Sequence, residues 1–127
     1  MELTLLKAKI HRAVVTEADL HYVGSITIDL DLMEATGLLS YEKVLVADID
    51  NGSRLETYVI PGPRKSGIIC LNGASARQVC VGDKVIIMAF CTLDSQEAAT
   101  HRPTVVFVDE HNAIRQITSC EEHGMIG

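Results

Sequence analysis

Short apolar runs with polar residues at every second position, separated by turn-forming residues, follow one another along most of this chain. In residues 3–15, polar Lys9 and His11 alternate with apolar Ala8 and Ile10. A period of two is that of a β-strand, because successive side chains of a strand point to opposite faces. The pattern predicts an opening strand that carries Lys9 and His11 on the same face.

Turn signals divide the rest of the chain into further short strands. Asn51-Gly52 is the strongest short-range hairpin signal in the sequence, and it predicts a hairpin over residues 43–60. The proline- and glycine-rich segment 61–67 is predicted to be a loop. The remaining predicted strands are residues 22–30, 68–71, 84–90, 104–108 and 113–117.

Three segments are predicted to be turns or short helices. Residues 16–19 are interpreted as a turn or a single helical turn. Asp31 and Glu34 have the spacing of a capping box, and Gly37 is suited to a helix end, so a short helix is expected between them. Residues 72–75 are expected to turn into a second short helical piece.

The composition agrees with a β-rich core. Hydrophobic residues make up 47% of the 127 residues, and Val, Ile and Leu dominate them, with Trp absent and two Phe. Branched aliphatic side chains favour strands, and a chain of this length buries one substantial core. These observations predict one mainly β domain, a small barrel or sandwich with few helices.

Charge and hydropathy exclude several classes of function. The net charge of −6 makes a nucleic-acid partner unfavourable. No apolar stretch reaches the length of a membrane span, and the N-terminal residues do not resemble a signal peptide, so we expect no membrane association and a cytoplasmic location. The four cysteines form no C-x-x-C pair, and no metal site is predicted.

Gly24-Ser25 is a candidate for chemistry on the backbone itself. A serine hydroxyl can attack the carbonyl that precedes it and form an ester in place of the peptide bond. Elimination then releases Gly24 as a new carboxyl end and leaves dehydroalanine at position 25, which water converts to a pyruvoyl group with loss of ammonia. The dipeptide alone is common in turns, so its neighbours must support this interpretation.

Four separated motifs supply that support. They are KIHR (9–12) with TEADLHYVGSITID (16–29), then NGSRLETY (51–58), LNGASA (71–76) and VGDKVII (81–87). In this order and spacing the chain resembles the pyruvoyl-dependent aspartate α-decarboxylase family over about residues 1–117. Ser75 stands where alanine is common in that family.

The resemblance implies a mainly β fold, a small double-psi β-barrel with short helices, as a single domain over residues 1–127. It implies self-cleavage into a β chain, residues 1–24, and an α chain, residues 25–127. It also implies a homotetramer with sites at subunit interfaces. Whether a maturation factor assists the cleavage is left open.

The activity that the resemblance implies is decarboxylation of L-aspartate to β-alanine and CO₂, for pantothenate biosynthesis. The cofactor is then a pyruvoyl group derived from Ser25, whose carbonyl forms a Schiff base with the substrate amine and acts as an electron sink. The family's proton donor corresponds to Tyr58. Thr57 is expected to hydrogen-bond the Gly24 carbonyl during cleavage, and to contact substrate.

Recognition of an acidic substrate requires cations. Arg54 is the first candidate, because its planar guanidinium matches a carboxylate, and Lys9 is the second. Without the resemblance, each is more simply interpreted as a solvated surface residue.

The turn at residues 72–75 is expected to present backbone N–H groups to the substrate. Its members are Asn72, Gly73, Ala74 and Ser75. His11, His21 and Tyr22 are accessory candidates that orient groups or move protons; packed or surface side chains explain them equally well.

Two alternatives remain open at this stage. A barrel that binds a ligand without cleaving itself would keep the Gly24-Ser25 bond intact on long incubation. A different pyruvoyl enzyme would cleave but prefer another amino acid.

Overall fold

The computed structural model describes residues 1–126 of the chain. Its strands are β1 (Glu2–Val14), β2 (Glu17–Asp19), β3 (Ser25–Asp29), β4 (Lys43–Asp48), β5 (Arg54–Gly62), β6 (Ile69–Asn72), β7 (Lys84–Asp94), β8 (Thr104–Val108) and β9 (Ile114–Thr118). Its helices are α1 (Leu30–Thr36), α2 (Ser95–Thr100) and a 3₁₀ helix (Gly73–Gln78). The prediction of a mainly β chain with short helices is confirmed. No helix in residues 1–126 has the length and hydrophobicity that a membrane crossing demands.

The nine strands form one mixed sheet in the order β2-β6-β3-β5-β4-β7-β1-β8-β9. Strand β1 lies between antiparallel β7 and parallel β8, and β3 lies between antiparallel β6 and parallel β5. A parallel pair requires a crossover connection. The crossover from β3 to β5 contains α1 and β4. The small double-psi β-barrel expected from the resemblance is a mixed β fold of this kind.

The strand alternation creates the core. On β1, Ala8 and Ile10 are buried, whereas Lys9 and His11 lie on the other face, as their spacing predicts. Side chains from β1, β3, β4, β5, β6, β7 and β8 then meet in a single cluster, and fully buried members include Ile10, Ile26, Val46, Val59, Ile69, Ile87 and Val106. Burying each such side chain stabilises the fold by about 1.5–3 kcal/mol.

Residues 16–19 differ from their sequence prediction. The segment expected to be a turn contains β2, which pairs in parallel with β6. The backbone N–H of Thr16 donates to the carbonyl of Ile69 over 2.8 Å. Pairing with a strand some fifty residues away therefore overrides the local turn tendency.

Helix α1 begins at a different cap from the one its sequence suggests. Asp29, rather than Asp31, is the N-cap, and its carboxylate accepts from the backbone N–H of Asp31 at 2.8 Å. Asp31 and Glu34 bind Arg64 instead. The C-terminal prediction is confirmed, because Gly37 adopts the left-handed conformation with φ 77°.

The hairpin over residues 43–60 is confirmed: β4 and β5 pair antiparallel, and Gly52 at the turn has φ 76°. Strand β5 extends through Gly62, so the loop is shorter than predicted. Strand β3 begins only at Ser25, which leaves residues 22–24 outside the sheet. Helix α2 was not anticipated from the sequence.

Candidate active site

Ser25 is the first residue of β3, and its side chain is turned into the protein. The residue is 1% exposed and lies opposite Asn72 in the antiparallel pairing of β3 with β6. The Nδ2 of Asn72 donates to the Ser25 Oγ at 3.0 Å and to the Thr27 Oγ1 at 3.0 Å. Because Ser25 accepts this bond, its own hydroxyl proton remains available for transfer.

A thiol donates a hydrogen bond to the oxygen of the Asn72 amide. Cys70 lies two residues before Asn72 on β6, and its Sγ donates to the Asn72 Oδ1 at 3.0 Å. The Glu17 carboxylate lies 3.7 Å from the same sulfur. Burial, together with the charge of Glu17, raises the pKa of the Cys70 thiol to about 11, so the thiol stays protonated and serves as a donor.

Two glycines bring the backbone of Gly24 against the start of the 3₁₀ helix. Gly73 has φ 62°, and a side-chain Cβ there would lie 2.9 Å from the Gly24 Cα and 3.1 Å from its nitrogen. Only a residue without a side chain allows this approach.

Thr57 and Tyr58 lie on β5, the parallel neighbour of β3. Ile26 pairs with Val59 in that register, and Ser25 and Tyr58 directly precede this pair on the two strands. The same register, if continued to the residues before them, would set Gly24 level with Thr57. Both side chains are half-buried, and they line a surface depression of about 300 Å³ together with Lys43 and Glu56. The Tyr58 ring also lies 6.2 Å from that of exposed Tyr41.

Arg54 does not lie beside Ser25 within one chain. It is the first residue of β5, exposed and paired with Ala47. Four residues of strand separate it from Tyr58, about 13 Å at 3.3 Å per residue. Within residues 1–126 its guanidinium forms no ion pair.

Lys9 lies on β1, which is four strands from β3 in the sheet order. Its ammonium group forms an ion pair with Glu121, from the segment that follows β9. The Lys9 side chain is 13% exposed. The Glu121 carboxylate thus binds the Lys9 ammonium group that was predicted to bind the substrate.

His11 is next to Lys9 on the same face of β1. Its ring packs edge-on against Phe107 at 5.4 Å, and its Nδ1 is buried without a hydrogen-bond partner. Burial lowers the pKa of His11, and the positive charges of Lys9 and Arg12 lower it further. The imidazole is therefore neutral near pH 7.

The last predicted residues lie at the rim of the Ser25 region. His21 and Tyr22 are exposed in the segment before Gly24, and Tyr22 is 56% accessible. Ala74 and Ser75 are in the 3₁₀ helix directly after Gly73, exposed and half-buried respectively.

The structure thus brings together part of the predicted site. Ser25, Gly24, Asn72 and Gly73 converge, with Thr57 and Tyr58 on the neighbouring strand, whereas Lys9, His11 and Arg54 lie apart. Sequence reasoning missed Thr27, Cys70 and Glu17. The two-residue spacing of Cys70 and Asn72 on one strand was the available signal for the thiol.

The surroundings of Ser25 suit a pyruvoyl group formed in place. Such a group would be made from the serine itself, so it would need no separate binding cavity, only a buried position 25 and a polar donor. The Nδ2 of Asn72 lies 3.0 Å from the Ser25 Oγ, which would leave with Gly24, and it would remain beside position 25 as a donor to the group formed there. Gly73 leaves room for the preceding backbone.

The fold and this site define a small, mainly β protein with a buried, hydrogen-bonded serine directly after a glycine. Residues 1–115 match the family described as aspartate decarboxylase. The chain belongs to the aspartate decarboxylase family.

Similar proteins span the whole chain. An aspartate 1-decarboxylase of Clostridium kluyveri is 60% identical over 126 residues, which cover 99% of each chain. One of Clostridium acetobutylicum is 60% identical over 127 residues and all of both chains. One of Ruminiclostridium cellulolyticum is 60% identical, covering 99% of this chain and 98% of the relative.

Among solved structures, the computationally designed msDPBB_sym2 protein has 20% identity and a TM-score of 0.42. The similarity covers 70% of this chain and 99% of the designed one.

Proposed function

We propose that this chain cleaves itself between Gly24 and Ser25 and then decarboxylates L-aspartate to β-alanine and CO₂. The β-alanine would be used in pantothenate biosynthesis. Membership of the aspartate decarboxylase family supports the reaction. The observation that carries the self-cleavage is the buried Ser25 hydroxyl, held by Asn72 next to a glycine backbone.

Self-cleavage uses groups that lie around position 25. The Ser25 Oγ attacks the Gly24 carbonyl carbon, the peptide C–N bond breaks as the ester forms, and the hydroxyl proton passes to the released amine. Loss of the Ser25 α-proton then breaks the Cβ–Oγ bond and frees the Gly24 carboxylate. Water hydrolyses the remaining dehydroalanine to a pyruvoyl end and ammonia.

Asn72 and Thr57 have separate parts in this sequence. Asn72 fixes the orientation of the Ser25 oxygen, and Cys70 fixes Asn72. Thr57, level with Gly24 on the adjacent strand, is proposed to donate to the Gly24 carbonyl oxygen as negative charge develops there.

The pyruvoyl group, once formed, supplies the electron sink for loss of CO₂ from an amino acid. Tyr58, level with Ser25 and open to the surface depression, is proposed to deliver the proton that replaces CO₂. Arg54 and Lys9 bind the substrate carboxylates. The N–H groups of Gly73, Ala74 and Ser75 border the substrate, while His11 and Tyr22 are accessory.

The state of Lys9 within one chain supports an assembled enzyme. Its ammonium group forms an ion pair with Glu121, and β1 does not pair with β3, so we propose that Lys9 reaches the Ser25 site from another copy in a homotetramer. Exposed apolar side chains next to the site, Val23 at 77%, Leu39 at 70% and Tyr41 at 78%, suit a surface covered by a partner. We further propose that the enzyme is cytoplasmic.

Intact-mass spectrometry tests the proposal. Incubated wild-type protein should give two fragments that meet at Gly24, the larger beginning with a pyruvoyl group, and should release CO₂ from L-aspartate. Ser25→Ala should remain a single chain without activity, because the attacking oxygen is missing.

Ser95→Ala is the matched control, since Ser95 is exposed and begins α2, which packs against β1 and β7. It should cleave and turn over like the wild type. Cleavage of Ser25→Ala at Gly24 would contradict the self-processing mechanism, and cleavage without aspartate turnover would contradict the substrate.

A further inference from the structure

Three carboxylates meet at the turn end of the β4–β5 hairpin. Asp48 ends β4, Asp50 lies in the hairpin turn, and Asp83 immediately precedes β7. One carboxylate oxygen from each lies within 4.8 Å of the other two. Like charges repel at this separation unless something positive lies between them.

Each carboxylate is held in place by a backbone N–H group. The Asp48 Oδ1 accepts from Asp50 at 2.8 Å, the Asp50 Oδ2 from Lys84 at 2.8 Å, and the Asp83 Oδ2 from Cys80 at 2.9 Å. One oxygen of every carboxylate thus anchors it to the chain. Across residues 1–126, no N–H group donates to the second oxygen of any of the three.

Asp48 gives the strongest indication that a ligand is needed. The residue is 3% exposed, and its Oδ2 is buried with no hydrogen-bond partner. In the described part of the chain, no lysine, arginine or histidine forms an ion pair with Asp48, Asp50 or Asp83. A buried carboxylate without a partner is costly, whereas one that coordinates a cation is not.

We propose that Asp48, Asp50 and Asp83 form a binding site for a divalent cation with a preference for oxygen ligands, Ca²⁺ or Mg²⁺. Both ions prefer carboxylates, and oxygens on opposite sides of Ca²⁺ are up to about 4.8 Å apart. Three protein oxygens leave the remaining coordination positions to water, which reaches the site because Asp50 is exposed.

The site joins two separate parts of the sheet. Asp48 and Asp50 belong to the hairpin, and Asp83 to the turn before β7, so a bound cation ties the hairpin to β7. The Asp48 N–H donates to the Ser53 carbonyl, directly before Arg54. The cation therefore stabilises the end of the hairpin from which Arg54 projects.

A proton is the competing occupant of the site. A proton shared between Asp48 and Asp83 would give the buried Asp48 Oδ2 the partner that it otherwise lacks. Cation binding would release that proton. An experiment must therefore distinguish a cation from a carboxylic acid pair.

The test is a titration of chelator-treated protein with CaCl₂ and, separately, MgCl₂, followed by calorimetry and thermal unfolding at constant ionic strength. We expect one site per chain, with a dissociation constant of roughly 10⁻⁴ to 10⁻³ M for the better ion. Saturation should raise Tm by several degrees, because the cation binds the folded chain alone. Neither readout depends on self-cleavage or turnover.

Asp50→Ala removes an exposed ligand with little risk to folding, and should weaken binding at least about tenfold. Asp48→Asn keeps the Oδ1 acceptor and should abolish the rise in Tm. Glu2→Ala is the control, because Glu2 is exposed and pairs with Asp94, at the opposite end of β7 from Asp83. Absence of saturable binding by either ion, or the same response in Asp50→Ala and Glu2→Ala, would overturn the proposal and leave a proton-sharing carboxyl pair.

Discussion

The two halves of the predicted site differ in how completely one chain builds them. Around Ser25, adjacent strands bring Gly24, Asn72 and Gly73 into contact, and the polar side chains bond one another. Around Lys9, the ammonium group is occupied by Glu121, and the neighbouring His11 Nδ1 has no partner. The comparison supports two of the proposals made above, that one chain contains the groups for self-cleavage and that the substrate cations are completed by another copy.

The polar side chains of the two halves also differ in how completely they are hydrogen-bonded. The Asn72 Nδ2 donates to the Ser25 and Thr27 oxygens, and its Oδ1 accepts from Cys70. These hydrogen bonds fix the orientation of the amide before any reaction. His11 is partly desolvated beside two positive charges and gains no compensating hydrogen bond. Preorganisation is thus present at Ser25 and incomplete at Lys9.

The largest expected effect is at Asn72. Asn72→Ala should slow self-cleavage about a hundredfold, which is the usual cost of losing one well-placed donor at a reacting centre. The variant also removes the donor to the Ser25 and Thr27 oxygens, so unfolding should become easier by about 1–3 kcal/mol. Intact mass against time gives the rate of cleavage, and thermal unfolding gives the stability.

Cys70→Ser is the companion variant, because a hydroxyl preserves a donor to the Asn72 Oδ1. It should cleave far faster than Asn72→Ala. Equal rates for wild type and Asn72→Ala would show that the hydrogen bond to Ser25 has no role in cleavage.

A smaller effect is expected from substitution of Lys9, and it concerns turnover of the substrate and not self-cleavage. Lys9→Ala should cleave at the wild-type rate but lose about thirtyfold in kcat/KM for L-aspartate, as expected for one charge-assisted hydrogen bond. Lys7→Ala is the matched control on the same strand, since Lys7 already binds Glu42 at 2.8 Å. A cleavage defect in Lys9→Ala would mean that the two halves are not separable.

The local parts of the fold were predictable, and the non-local parts were not. Period-two patterns and Asn51-Gly52 correctly predicted β1 and the β4–β5 hairpin, because a single stretch of sequence determines them. Residues 16–19 form β2 only because β6 lies beside them. Asp29 was missed as the cap of α1, since its role includes accepting from Gly67, 38 residues away.

The candidate site follows the same rule. Ser25 and Asn72 could be singled out from sequence motifs, and their hydrogen bond joins residues that face each other on paired strands. Cys70 was missed because a thiol between apolar residues is typical of an ordinary core. That Lys9 lies four strands from Ser25 follows from the strand order, which the spacing of motifs does not specify.

The smallest effect concerns the charge of His11. The fold lowers its pKa below the ordinary value of 6.5, through burial first and then Lys9 and Arg12, against the opposing charge of Glu121. Between the two pKa values the unfolded chain binds a proton that the folded chain does not, so stability is complete above pH 6.5 and decreases as the pH falls below it. From pH 7.5 to 5.5, wild type should lose about 2 °C more in Tm than His11→Gln, which has no proton to bind.

His111→Gln replaces an exposed histidine and should follow wild type. If the Tm of His11→Gln and of wild type instead falls by the same amount, His11 is not desolvated as the structure indicates. The Lys9 and Ser25 halves of the site would then differ only in where their residues lie in the fold.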